Sequence, residues 1–294
     1  MFQSGPFLMT VAMALFALED MFLKAAMVEV SVGFGLTVFG LGGMAVFLVW
    51  AGLRGQRLFH PAIFSRPLIL RSLSEVLGRL FYTLAFALAP LSLVSAILQA
   101  TPLVVALGAV VFFGEKVGWR RWSAIGLGFL GVLMILRPGT DAFSATSIFA
   151  VLGMLGFAGR DLATRASPPS MSNVQLGVYG FLMLVIAGAI LMAVGDTGPL
   201  PSPRAAGQLF AAIAVGVLAY TCLTASMRVG EVSLTVPFRY TRLIFAMILG
   251  IAVFGERPDL MTWAGSAVIV ASGLYTLMRS QRRQKPAPLP TSAP

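Results

Sequence analysis

"MALFALEDMFLKA" occupies residues 13–25 and "MLGFAGRDLATRA" occupies residues 154–166. Overlaid at an offset of 141, Met13, Phe16, Ala17, Asp20 and Ala25 fall on Met154, Phe157, Ala158, Asp161 and Ala166, and Lys24 falls on Arg165. Without a gap, the same offset brings Ser92 and Leu93 onto Ser233 and Leu234, "FGEK" (113–116) onto "FGER" (254–257), and Trp122 onto Trp263. One such match is weak. A single offset sustained from the first apolar segment to the fifth reads as a duplication, with repeats over 1–138 and 142–280 and a basic, Pro-rich tail over 281–294. That tail cannot bury apolar surface and is expected to be disordered.

The composition says what is duplicated. Of 294 residues, 58% are hydrophobic and 11% charged, against about 25% charged in a soluble domain. The mean hydropathy of +0.90 agrees. Ten apolar runs follow one another, roughly 6–27, 33–53, 67–89, 91–113, 119–137, 145–164, 175–195, 206–227, 231–254 and 259–278. Runs of about 20 residues span a bilayer as helix, whereas a barrel would alternate with period two. The expectation is an all-α membrane protein of ten transmembrane helices. Because each repeat has an odd number of spans, the second enters the membrane from the opposite side, giving two inverted five-helix repeats. The first apolar stretch lacks an A-x-A-like cleavage site and is read as the first span.

The net charge of +10 does not point to nucleic acid, because the basic residues lie mostly in loops between apolar runs. With a cytoplasmic N-terminus, the inner loops and tail hold Arg54, Arg57, Arg66, Lys116, Arg120, Arg121, Arg160, Arg165, Arg228, Arg279, Arg282, Arg283 and Lys285, against Lys24, Arg137, Arg204 and Arg257 outside. From this positive-inside bias both termini are expected in the cytoplasm. One cysteine, Cys222, rules out an internal disulfide, and the lone His60 lies in a loop. No metal-ligand cluster, cofactor motif or phosphate-cradling loop is present, and nothing indicates the oligomeric state.

The stretches "FFGEKVGWRRWSAIGLGFLGVLMI" and "VFGERPDLMTWAGSAVIVASGLY", each closing one repeat, together with the ten runs, resemble the EamA family of the drug/metabolite transporter superfamily. The resemblance covers almost the whole chain. It implies a secondary transporter working by alternating access. Members export amino acids and other metabolites, or take up vitamins and S-adenosylmethionine. In one respect the halves differ: Pro102 falls on Leu243 and Pro237 on Ala96, so the fourth and ninth spans are expected to kink at different places.

Charges inside a bilayer are expensive and mark function by default. The repeat sorts them. Asp20 with Lys24, Asp161 with Arg165, and Glu115–Lys116 with Glu256–Arg257 occur in both halves. They read as scaffold: i, i+4 ion pairs on one helix face, and a Glu accepting N–H groups at the start of the next helix. Other charges are unmatched. Arg71, Glu75 and Arg79 fall on Ala212, Gly216 and Tyr220; Arg239 and Arg242 on Leu98 and Thr101; Glu19 on Arg160 with its sign reversed. An asymmetric substrate must be read asymmetrically, so Glu19, Arg71, Glu75, Arg79, Arg239 and Arg242 are the binding candidates. Tyr82, Gln99, Tyr220, Phe238 and Tyr240 lie at similar depth. Arg beside aromatics suits an acidic group on a planar or apolar body.

The expected function is secondary transport of a small amphoteric or anionic, amino-acid-like metabolite, with Glu19 the candidate for proton coupling. The alternatives are uptake of a larger nucleoside-like or vitamin compound, of S-adenosylmethionine or riboflavin type, and, in another class, a non-transporting membrane scaffold.

Overall fold

A computed structural model describes residues 4–56, 58, 61–114, 118–138, 144–165, 172–195, 198–226 and 235–284. The helices are α1 (Gly5–Ala26), α2 (Val32–Leu53), α3 (Arg66–Leu88), α4 (Leu91–Leu98), α5 (Thr101–Phe113), α6 (Trp119–Leu136), α7 (Ser147–Arg165), α8 (Asn173–Val194), α9 (Pro203–Ser226), α10 (Thr241–Phe254) and α11 (Leu260–Gln284). A 3₁₀ turn, Val236–Tyr240, leads into α10. The fourth span is α4 plus α5, and the ninth is the 3₁₀ turn plus α10, so among the described residues eleven helices build ten spans. Among the described residues, seven spans are long and apolar enough to cross a membrane, judged by length and composition. The span that carries the Arg71–Glu75–Arg79 ladder, α3, is not among them, and the apolar parts of α6 and α11 are shorter.

The packing follows the inverted repeat. The offset exchanges α1 with α7, α2 with α8, α3 with α9, α4–α5 with the 3₁₀ turn and α10, and α6 with α11. The largest contacts obey that exchange: α1 lies along α9 as α3 lies along α7, while α2 meets its own counterpart α8 and α6 meets α11. At the centre α4 packs on α10. Close approach rests on small residues, as it must where lipid offers no driving force for association. A Cβ on Gly131 of α6 would stand 2.8 Å from the Gly265 carbonyl oxygen of α11, and one on Gly265 would stand 2.6 Å from the Gly131 oxygen.

The broken spans correct one expectation. Pro102 has no N–H for the Leu98 carbonyl, four residues back. The freed oxygen accepts instead from the Thr101 hydroxyl at 2.5 Å, and the span breaks at Gln99–Ala100. In the second half, Pro237 lies within the 3₁₀ turn, which gives way to α-helix between Tyr240 and Thr241. The offset carries 99–100 onto 240–241. The prolines differ in position, yet the breaks coincide. What both halves share is the place where the helix changes, and each proline reaches it from a different side.

Candidate functional site: a charge cluster between the halves

Arg79 lies 13 residues into α3, about 20 Å along the helix axis. Its Nη1 is 3.6 Å from Glu19 Oε1 of α1 and its Nε is 3.8 Å from Glu75 Oε1 one turn back. Glu75 also faces Arg160 of α7, 3.4 Å from Nη1. Arg160 in turn pairs with Asp161, 2.8 Å from Nη2. On the other side, Asp20 Oδ2 accepts from Arg242 Nη2 of α10 at 2.6 Å and from the Tyr82 hydroxyl of α3 at 2.7 Å, and Arg242 also reaches Tyr82 at 3.1 Å. The cluster thus joins α1, α3, α7 and α10, two from each repeat.

It has two lobes. The first holds Glu19, Asp20, Arg79 and Arg242, two carboxylates against two arginines, with Tyr82. The second holds Glu75 and Asp161 against Arg71, Arg160 and Arg239. Arg71 donates through Nε to the Thr164 hydroxyl at 3.0 Å, and the field of Asp161 is felt by Arg160 and Arg239. Among the described residues neither Arg71 nor Arg239 has an ion-pair partner, so the positive surplus sits in the second lobe.

Aromatic rings line both lobes, and the repeat explains their placement. Phe16 and Phe157 occupy matching positions. The Arg242 guanidinium carbon is 5.2 Å from the Phe16 ring centroid, and those of Arg160 and Arg79 are 4.9 and 5.7 Å from Phe157. These are cation–π distances, and they fit Arg to a ring face where full solvation is denied. Tyr82 packs edge-on against Phe157, 5.7 Å between centroids. Tyr220 packs edge-on against Phe47 at 5.4 Å and lies within the field of Arg71, Glu75 and Arg160.

The structure therefore brings together Glu19, Arg71, Glu75, Arg79, Tyr82, Arg239, Arg242 and Tyr220. Gln99 is buried at the break between α4 and α5, and Phe238 is exposed. Tyr240 lies within the field of Arg239, and its hydroxyl lies against Gly273 of α11, where no Cβ would fit.

The scaffold pairs are redrawn. Asp20 does not pair with Lys24. It is fully buried, and the planar guanidinium of Arg242 with the Tyr82 hydroxyl satisfies its Oδ2 better than an ammonium one turn away on the same helix could. Lys24 turns to the end of α3, donating to the carbonyls of Phe86 at 2.9 Å and Ala89 at 2.5 Å. Asp161 pairs with its neighbour Arg160, and the side chain of its expected partner Arg165 lies outside the described residues, as do Glu115 and Lys116. Glu256 does cap a helix, but not the next one. It accepts from Leu91 N at 2.5 Å, Ser92 N at 3.0 Å and Ser92 Oγ at 2.7 Å, at the start of α4 in the opposite repeat. Sequence reasoning missed Arg160 as a site residue by counting it among loop charges. The signal was present, since the repeat sets it opposite Glu19.

A model of the EamA-like transporter family matches residues 3–137 and again 144–278. The chain belongs to the EamA-like transporter family. It is an integral membrane protein and a metabolite transporter, and the double match coincides with the internal repeat. Among curated relatives, an S-adenosylmethionine uptake transporter of Rickettsia felis is 26% identical over 74% of each chain. A riboflavin transporter of Rhizobium johnstonii is 28% identical over 82% of this chain and 78% of its own. The pseudopaline exporter CntI of Pseudomonas aeruginosa is 27% identical over 70% of this chain and 72% of its own. A solved crystal structure superposes with a TM-score of 0.60 over 96% of this chain and 99% of that one, at 15% identity, which is a likeness of fold.

Proposed function

We propose that this transporter takes up a nucleoside-like, charged metabolite of the S-adenosylmethionine type across the bacterial inner membrane, with both termini in the cytoplasm. The observation that carries this is the cluster's chemistry: paired carboxylates and arginines with a positive surplus, interleaved with aromatic rings, in a chain whose relatives include S-adenosylmethionine uptake transporters. An amino-acid group needs an arginine for its carboxylate and a carboxylate for its ammonium, and a purine needs a ring to lie against. Arg239 and Arg71 suit the substrate carboxylate, Glu75 the cationic end, and Phe157 and Tyr220 the ring. An amino acid alone would leave the rings unused, so the larger substrate is favoured over the amino-acid-like one. Riboflavin, the substrate of other relatives, is uncharged and would leave the surplus arginines unanswered.

Glu19 is the proposed carrier of a coupling proton. Its side chain is 1% exposed, and its Oε1 accepts no hydrogen bond among the described residues.

The test is uptake of radiolabelled S-adenosylmethionine by proteoliposomes, with riboflavin and methionine as competitors. The reading expects saturable uptake that excess unlabelled S-adenosylmethionine abolishes and neither competitor reduces much. Uptake of riboflavin but not of S-adenosylmethionine would sink it, as would equal competition by methionine.

A further inference from the structure

One polar junction outside the cluster ties the two repeats together at a single face. The Glu256 carboxylate of the second repeat accepts from the Leu91 and Ser92 N–H groups at the start of α4 and from the Ser92 hydroxyl. Lys24 of α1 stands 3.8 Å from Glu256 Oε1 while binding the last carbonyls of α3, and its ammonium lies 5.3 Å from the Phe254 ring centroid. Thus α1 and α4 of one repeat meet one side chain of the other, and Lys24 ties in the end of α3. Negative charge at a helix start and positive charge at a helix end are each favoured by the backbone dipoles.

Glu256 reaches this position only by folding back along its own chain. Gly255 takes a left-handed conformation, φ 64°, which an L side chain rarely adopts. The Glu256 N–H then bonds the Gly250 carbonyl at 3.0 Å, and the carboxylate lies directly over Gly250, leaving no room there for a Cβ. The offset puts Ala109 in the place of Gly250.

Exposure within the charge cluster runs the other way. Asp20 and Glu19, nearest this junction, are 0% and 1% exposed in their side chains. The arginines of that lobe, Arg242 and Arg79, are 16% and 19% exposed; in the second lobe Glu75 is 6%, Arg160 22% and Asp161 28% exposed. Asp161 lies four residues from the end of α7, and α7 runs antiparallel to α3, with Thr164 beside Arg71 and Gly153 against Tyr82. The exposed lobe therefore opens towards the face opposite the junction.

We propose that Lys24, Glu256 and Ser92 form the latch that closes one face of the transporter, so that the state described here admits solute only from the other. Opening that face requires the Glu256 carboxylate to leave the start of α4, moving the α10–α11 turn away from α1, α3 and α4. Lys24 positions the carboxylate, and Gly250 makes its seat. The inference rests on alternating access but not on the identity of the substrate.

The experiment needs no substrate. In a Cys222→Ser background, spin labels on Leu88→Cys and Leu260→Cys, both exposed on this face, are measured in nanodiscs by double electron–electron resonance. The parent should give one short-distance population. Glu256→Gln keeps the shape but loses the charge, and Gly250→Ala keeps the carboxylate but evicts it. Both should raise a longer-distance population by about tenfold, the effect of losing one or two charge-assisted hydrogen bonds. If both variants keep the parent distribution, whether or not their melting temperatures fall, Glu256 is a helix cap and the latch is refuted. Failure of S-adenosylmethionine uptake would leave this result untouched.

Discussion

The junction at Glu256 and the cluster around Arg79 are both built from opposite charges held between the two repeats, yet they differ in how fully those charges are answered. At the junction one carboxylate meets two backbone N–H groups, a hydroxyl and an ammonium. In the cluster, Glu19 Oε1, Asp20 Oδ1, Arg79 Nε and Arg242 Nε, all buried, find no hydrogen-bond partner among the described residues. A satisfied buried network rigidifies, whereas a partly satisfied one is costly unless something else completes it. The difference fits the proposed roles, in which the junction holds a conformation and the cluster, with these four atoms in its first lobe and its surplus arginines in the second, takes part in handling the solute.

The sharpest test within the cluster is to set its structural pair against its unanswered arginine. Arg242→Met removes the guanidinium from fully buried Asp20, leaving Tyr82 as its remaining donor. Breaking one side of a buried pair costs about 3–5 kcal/mol, so this variant should lose both melting temperature and transport. Arg239→Gln should keep its melting temperature and lose uptake by about 10–100-fold, the worth of a charged hydrogen bond made only with solute. If the two variants behave alike, the division into structural and receiving charges fails. Arg79→Gln falls between them. Seen from the sequence alone, its loss should abolish transport without unfolding. The structure adds that Arg79 is the ion-pair partner of Glu19, so a drop in melting temperature is expected as well.

Proton coupling gives an intermediate effect. Glu19→Gln is nearly isosteric and keeps Arg79 in contact with a polar group. Uptake under an imposed pH gradient should fall to the rate seen without one, while gradient-free uptake changes less than about threefold. A variant still driven by the gradient would move the proton elsewhere in the cluster.

How much of this was legible beforehand differs by feature, for physical reasons. The ten spans and the inverted repeat were readable, because membrane helices are written in long apolar runs and a duplication leaves a constant offset. The unmatched charges Glu19, Glu75, Arg79 and Arg242 were found by that offset and do converge. Their partners were not readable. The i, i+4 rule sees only one helix, whereas Asp20 is satisfied by Arg242, 222 residues away. Glu256 caps α4 from the other repeat, 164 residues from Ser92, which no local capping rule can anticipate. The kink positions misled because proline was read as the break itself, when Thr101 repairs part of what Pro102 removes. Arg160 was passed over because the same arginine also counts towards topology, and one charge can serve both.

The smallest effect belongs to the face that carries the junction. Asp259, in the turn before α11, pairs with Arg137 and accepts from Thr262 N at 2.9 Å and Thr262 Oγ1 at 2.8 Å. Its carboxyl is held down to about 2, first by the Arg137 hydrogen bond and then by Thr262. A folded-state pKa below the unfolded value, about 3.9, contributes stability that is present above pH 4 and lost as pH falls towards 2. The side chain is 48% exposed, so screening by solvent leaves little of that contribution. Asp259→Asn should therefore lower the melting temperature at pH 7 by no more than about 3 °C, and the difference from the parent should shrink below about pH 4 and vanish only below about pH 2. A loss as large as that of Arg242→Met would mean that this exposed pair shares the junction's role, and the latch would then extend from Lys24 across the whole face to Arg137.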